Sequence, residues 1–131
     1  MYSIAVQTSE RSEFIDITKK VESLIKKSGV TKGVCRIFTP HTTAGLTINE
    51  NADPSVRKDM VNILNDLVPK DKAYAHSEGN SDAHMKASLM GAERTVFVEN
   101  GSIKLGTWQG IFFCEFDGPR RREVWVNTTG D

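Results

Sequence analysis

The hydrophobic positions change period several times along the chain, and each change marks an element. Residues 2 to 8 and 12 to 17 alternate in the manner of two short strands, with Ser9, Glu10 and Arg11 as the link of a hairpin. Ile17, Val21, Leu24 and Ile25 then fall at i, i+4, i+7 and i+8, which places them on one face of a helix. Asp16 or Thr18 can cap its start, and Gly29 can take the left-handed conformation past its end. Gly33 to Thr39 is rich in β-branched and aromatic residues and reads as a strand closed by Pro40. In the next segment Leu46 and Ile48 alternate, so Glu50 shares their face while Thr47, Asn49 and Asn51 share the other.

Asp53-Pro54 is a strong helix start, with Asp53 as N-cap and Pro54 in the first turn. Val56, Met60, Ile63, Leu64 and Leu67 follow on one amphipathic face, and Pro69 ends the helix. A third helix is expected over Ala83 to Met90, capped by Ser81 or Asp82 and closed by Gly91. Arg94 to Leu105 reads as a hairpin turning at Asn100-Gly101. Ile111 to Phe116 is nearly all apolar and suits a central strand covered on both faces. Asp117-Gly118-Pro119 then turns the chain into a last strand containing Val124, Trp125 and Val126. The total of about eight strands and three helices predicts a single α+β domain over residues 1 to 131. Its sheet is mostly antiparallel, or split into two packed sheets, with the helices on one side.

Composition narrows the partners. At 131 residues and 38% hydrophobic, the chain can bury one ordinary core. Seventeen basic and 17 acidic residues cancel, so no net field favours nucleic acid or an anionic membrane. The Lys19, Lys20, Lys26 and Lys27 side chains accordingly read as a solvated helix face. No apolar run approaches the ~18 residues of a membrane span, and the N-terminus lacks a basic region followed by an apolar stretch. The expected setting is cytoplasmic. Cys35 and Cys114 each sit in an apolar run, far apart, and read as buried free thiols.

The chemistry concentrates between Ala75 and Gly91. His76 and His84 lie on either side of a polar turn that Gly79-Asn80 permits, and His84 falls in the first turn of the third helix. The open amides of that helix start suit a phosphate. His41 follows directly after a strand and a proline, where it can meet the other two. Three imidazoles with an open position suit Zn²⁺ or another late transition metal; Mg²⁺ would prefer carboxylates such as Glu50 and Asp82. If Leu46 and Ile48 face the core, Glu50 is partly buried, which makes it an ion-pair partner or a site residue. Arg120 and Arg122 share a strand face and can clamp a phosphate or carboxylate, or can guard a sheet edge. Trp108, flanked by glycines, can line a pocket or a subunit contact.

Three strings carry a resemblance over nearly the whole chain: T-P-H-T-T-A-G-L-T-I-N-E-N-A-D-P, H-x-E-G-N-S-D-A-H-x-K-A-S-L-M-G and L-G-T-W-Q-G-I-F-F-C-E-F-D-G-P-R-R-R. They are similar to the YjbQ-like family, also called the secondary thiamine-phosphate synthase family. The resemblance implies a compact, β-rich homotrimer, with a metal ion at His41, His76 and His84 in some members. It also implies a thiamine-phosphate synthase activity, in which a pyrimidine methyl pyrophosphate joins a thiazole ethyl phosphate and pyrophosphate departs. On this expectation the chain is a metal-assisted transferase acting on a small phosphorylated metabolite. Glu50, Ser81 and Asp82 are the candidate catalytic residues, and Asn51, Gly79, Asn80, Arg120 and Trp108 the candidate substrate and phosphate contacts. A divalent ion sits at the histidines, and Mg²⁺ can accompany the substrate pyrophosphate. A metal-dependent phosphohydrolase and a non-catalytic trimer that binds a metal or phosphometabolite are the competing readings.

Overall fold

The computed structural model describes all 131 residues, with eight strands and three helices. In chain order these are β1 (Tyr2–Gln7), β2 (Glu13–Asp16), α1 (Thr18–Ser28), β3 (Gly33–Phe38), β4 (Ala44–Glu50), α2 (Pro54–Leu67), α3 (Ser81–Met90), β5 (Glu93–Glu99), β6 (Ser102–Lys104), β7 (Gln109–Glu115) and β8 (Arg121–Gly130). The strands form two antiparallel sheets, one of five strands in the order β1-β8-β3-β5-β6 and one of three in the order β2-β7-β4. The α+β class with two packed sheets is therefore the observed one.

The larger sheet turns one face inward: Ile4, Val6, Cys35, Ile37, Val96, Val98, Val124 and Val126 are buried there. They pack against Leu46, Ile111 and Phe113 of the smaller sheet and Ile17, Val21 and Ile25 of α1. The smaller sheet is covered on its other face too. Phe14, Phe112, Cys114 and Phe116 meet Leu64 of α2 and Ala83 and Ala87 of α3 in a second cluster. Period two in β7 divides its residues between these clusters, which is why nearly every residue from Gly110 to Phe116 is apolar and all are buried. All three helices thus lie on one side of the five-stranded sheet. Its other face, with Phe38 and Phe97 exposed, stays open.

Several local expectations hold for the stated reasons. Asp53 caps α2 by accepting from the Ser55 amide at 2.9 Å, and Gly29 takes φ 75° after α1. Asp16 accepts from the Thr18 amide at 2.9 Å, though Ile17 stands at the cap position of α1. The β5–β6 turn places Asn100 and Gly101 at positive φ, as a tight hairpin demands.

Three expectations are corrected. β1 and β2 form no hairpin, because β1 pairs with β8 and β2 with β7 in the other sheet. On α2 only Leu64 is buried, while Ile63 and Leu67 are 61% and 68% exposed. The helix rests on a narrow stripe of Met60, Val61 and Leu64, which leaves its remaining apolar positions facing outward. The third concerns the start of α3. Asn80, not Ser81 or Asp82, holds the cap position, and it makes no side-chain cap bond because its amide donates to Asp117 at 2.9 Å.

Candidate functional site

The start of α3, the loop before β4 and the turn before β8 come together at one end of the smaller sheet. Leu46 donates its amide to the Gly91 carbonyl at 3.0 Å, and Thr39 to Ala92 at 2.9 Å, so the end of α3 is tied to both sides of the His41 loop. Gly45 makes this approach possible. A Cβ there would meet the Met90 Cβ at 2.8 Å and the Gly91 carbonyl at 3.0 Å. The β4 backbone therefore presses directly on α3, and His41 and His84 border the same concavities.

One of these concavities is a mostly polar cavity of about 370 Å³. His41, Thr42, Asn80, His84, Arg120 and Arg122 are among its walls, with Glu78 and Asp117. Arg120 donates Nε to the Asp117 carbonyl and Nη2 to the Asp117 carboxylate, both at 2.9 Å, so its guanidinium is held in place at the rim. The first-turn amides of Ser81 and Asp82 have no intrahelical acceptor. Asn80 Oδ1 is sealed from solvent and has no hydrogen-bond partner. A buried acceptor without a donor carries a desolvation cost at the start of α3.

On the other side of His84, His76 faces it edge-on with ring centroids 5.8 Å apart. Ser81, Met85 and Ser88 complete that open concavity, and Glu78 reaches to 3.6 Å from His76 Nε2. The three histidines thus flank one region, His84 in the middle. They do not converge as one ligand set, since no group of three His, Cys, Asp or Glu side chains is arranged to hold a metal ion. His41 Nε2 already accepts the Glu123 amide at 3.0 Å. Burial and the neighbouring Arg122 charge lower the His41 pKa.

Beneath the cavity lies a buried network that the sequence pattern concealed. Arg122 pairs with Glu115 through Nε at 2.9 Å and through a second contact from Nη2. Nη2 also donates to Thr43 Oγ1 at 2.8 Å, and Thr8 Oγ1 donates to Glu115 at 2.8 Å. Burial works against the Glu115 charge, yet the bonds from Arg122, the Asp117 amide and Thr8 together hold its carboxyl below the usual range. Arg122 therefore plugs the end of the sandwich and is not free to pair with Arg120 as a two-armed clamp. Glu115 was hidden inside an apolar run, and its only sequence signal was an acidic residue in phase with Ile111 and Phe113.

Asp82 is likewise committed elsewhere. It is fully buried, accepts from both Arg11 Nη atoms at 3.0 and 3.1 Å, and accepts from Lys86 Nζ at 2.8 Å. Burial opposes its charge, but the Arg11 and Lys86 bonds outweigh it and lower the pKa to about 2. It anchors α3 and does not face the cavity as a catalytic carboxylate. Ser81 remains at the rim beside His76 and His84. Gly79 takes φ 77°, and a methyl group in place of its hydrogen would touch nothing, so conformation accounts for it, not close approach of a ligand.

Glu50, Asn51 and Trp108 are placed away from this region. β4 begins beside His41 and ends at Glu50, which at ~3.4 Å per residue separates them by roughly 20 Å. Glu50 is half-buried, as parity indicated. Asn51 donates its amide to the Trp108 carbonyl at 2.9 Å and its side chain to Asp16 at 3.2 Å. It also fills the space where a Gly110 side chain would be. The Trp108 indole is 63% exposed. Within one chain these three form a separate cluster and do not complete the histidine region. Both cysteines are buried and free, and burial raises the Cys35 pKa to about 11. No helix is long and apolar enough to cross a membrane.

The same arrangement of elements occurs in solved structures. A YjbQ/UPF0047-family protein from Clostridium acetobutylicum is 52% identical, with TM-score 0.97, covering 98% of this chain and all of that one. A UPF0047 protein of Methanocaldococcus jannaschii is 53% identical over 131 residues, all of this chain and 95% of its own length. The UPF0047 protein YugU of Bacillus subtilis is 50% identical over 129 residues, 98% of each chain. The family model described as UPF0047 protein YjbQ-like matches residues 2–131. With identity of this order along its full length, and the fold shared to the last strand, the chain belongs to the YjbQ-like UPF0047 family.

Proposed function

We propose that the protein is an enzyme that binds a phosphorylated small molecule in the polar cavity and transfers a group from it. The observation that carries this reading is the cavity itself: the Arg120 guanidinium at the rim, the imidazoles of His41 and His84, and the first residues of α3 on one set of walls. Anions are stabilised by such fixed donors more than by water, because the donors need not reorganise. Arg120 would donate to phosphate oxygens, with His41 and His84 beside them. Thiamine-phosphate synthesis is the specific reaction we put forward, on the family resemblance. There a thiazole nitrogen attacks the pyrimidine methylene carbon, a carbon–nitrogen bond forms, and the carbon–oxygen bond breaks with its electron pair leaving on pyrophosphate. The protein's task is then to stabilise that departing charge and to align the two substrates, which needs no protein nucleophile. A divalent ion, carried in with the pyrophosphate or held at His76 and His84, would neutralise part of the charge.

Homotrimer assembly belongs to the same proposal. The open face of the five-stranded sheet exposes Phe97 and Phe38, with Trp125 stacked on Phe38 at 5.7 Å. Apolar surface of that kind suits contact between copies.

The test incubates purified protein with the two precursors and Mg²⁺ and measures thiamine phosphate and pyrophosphate together. Formation of both in equal amounts, lost in Arg120→Ala, supports the reading. Inorganic phosphate release from a panel of phosphate esters, without thiamine phosphate, would favour the phosphohydrolase. Ligand binding with no turnover on either panel would favour the non-catalytic trimer.

A further inference from the structure

His41 has a structural duty that decides which of its nitrogens can meet a ligand. The β3–β8 ladder stops at Phe38 and Trp125. Continuing the register two residues further would set Glu123 opposite Pro40, at the point where the chain leaves the sheet. The His41 ring takes over there: its Nε2 accepts the Glu123 amide at 3.0 Å. An amide N–H can be received only by a ring nitrogen that carries a lone pair, so the proton of the neutral imidazole is on Nδ1. That Nδ1 has no acceptor within the protein, and it is not among the buried atoms lacking partners, so it reaches solvent. The ring borders the polar cavity beside Thr42, Asn80 and Arg120.

A metal would need the opposite arrangement. To ligate through Nδ1 the proton must move to Nε2, where it would point at the Glu123 N–H, donor against donor. To ligate through Nε2 the ring must abandon that amide. We infer that His41 is a hydrogen-bond donor to a phosphate oxygen of the ligand, through Nδ1–H, and is not a metal ligand; any metal in this region is held by His76 and His84 without it. The tautomer stands on the Glu123 bond alone, while the identity of the ligand rests on the function proposed above.

The experiment combines imidazole ¹⁵N spectra with two variants. In the parent protein, His41 is expected to show a protonated Nδ1 and a bare Nε2, unchanged when zinc is added to saturation. His41→Gln offers a carbonyl to the Glu123 amide but no N–H in place of Nδ1, whereas His41→Asn offers an N–H near Nδ1. Both should bind zinc as the parent does, and His84→Ala should lose zinc affinity. For pyrophosphate, His41→Gln should lose about tenfold in affinity, one charge-assisted hydrogen bond, with His41→Asn closer to the parent. A proton found on Nε2, or a tenfold loss of zinc affinity in both His41 variants while circular dichroism stays native, overturns the inference. If the parent binds no pyrophosphate, the proposed function fails, and the spectra still decide the role of His41.

Discussion

Replacing Asp82 by Asn should cost far more stability than replacing Lys86 by Met, although the two residues are partners in one ion pair. Asp82 is fully buried and Lys86 is 1% exposed, so neither can turn to water when the other is removed. The asymmetry comes from Arg11. With Lys86→Met the Asp82 carboxylate keeps both Arg11 bonds at 3.0 and 3.1 Å and remains a neutralised pair, and the thioether fills the stem's space. With Asp82→Asn the Lys86 ammonium keeps only neutral acceptors, Asn65 Oδ1 at 2.8 Å and the new amide, inside a protein interior. Breaking a buried pair by removing one partner typically costs about 3–5 kcal/mol, and replacing charge by a well-packed apolar group is often near neutral. We therefore expect a loss of about 3 kcal/mol for Asp82→Asn and under about 1 kcal/mol for Lys86→Met, with the double variant recovering most of the difference. Urea unfolding followed by circular dichroism measures all three from the shift in midpoint at constant slope.

The pH dependence supplies a second arm. The Asp82 pKa is lowered to about 2 from 3.8, so its stabilisation is present above pH ~4 and is lost as pH falls through 2. In the parent this contributes about 2 kcal/mol to the acid limb at 1.36 kcal/mol per pKa unit, and Asp82→Asn should flatten the limb by that amount. Equal costs for the two single variants, or an acid limb unchanged by Asp82→Asn, would refute the reasoning.

Other outcomes follow from the same structure. Gly45→Ala should destabilise by about 1–3 kcal/mol, because its methyl meets Met90 and the Gly91 carbonyl and pushes α3 from β4; thermal melting reads the loss. Native protein should react with thiol reagents only after unfolding, since both cysteines are buried and burial raises Cys35 to about 11; rapid labelling of two thiols in the folded state would contradict this. If the proposed trimer forms through the open sheet face, Phe97→Glu should lower the mass measured by light scattering from trimer to monomer, and an unchanged trimer mass would move the contact elsewhere. Arg120→Ala should weaken pyrophosphate binding about tenfold, the worth of one charge-assisted bond, while Glu50→Gln leaves it unchanged; the reverse order in calorimetry would exchange the two ends of β4 as the site.

The elements were legible because their signals are local. Asp53-Pro54, Asn100-Gly101 and Gly29 state their turns directly, and the β7 run announced a strand covered twice. What stayed hidden depends on pairing between distant strands. The first two strands looked like a hairpin because alternation says nothing about partners, and each pairs across more than 90 positions with a different sheet. Ile63 and Leu67 shared the right helical period with Leu64, but the layer they cover is too narrow to reach them. In the site, the shared neighbourhood of His41, His76 and His84 was readable from their turns, whereas the tie of His41 to Glu123 and the lack of convergence of the three rings on one ligand point were not. Asp82 and Arg122 carried residue types that chemistry uses, and their burial against Arg11, Lys86 and Glu115 turned them to structural work. Glu50 and Trp108 belong to strings as distinctive as the histidine stretch, and only the length of β4 separates them from it.

The most direct test of the cavity as a phosphate site is a crystal structure of the protein grown with magnesium pyrophosphate. The anion is expected in the polar cavity beside Arg120, the Nδ1 edge of His41 and His84 in the first turn of α3. Pyrophosphate seated instead beside Glu50, Asn51 and Trp108, with the α3 start vacant, would contradict it.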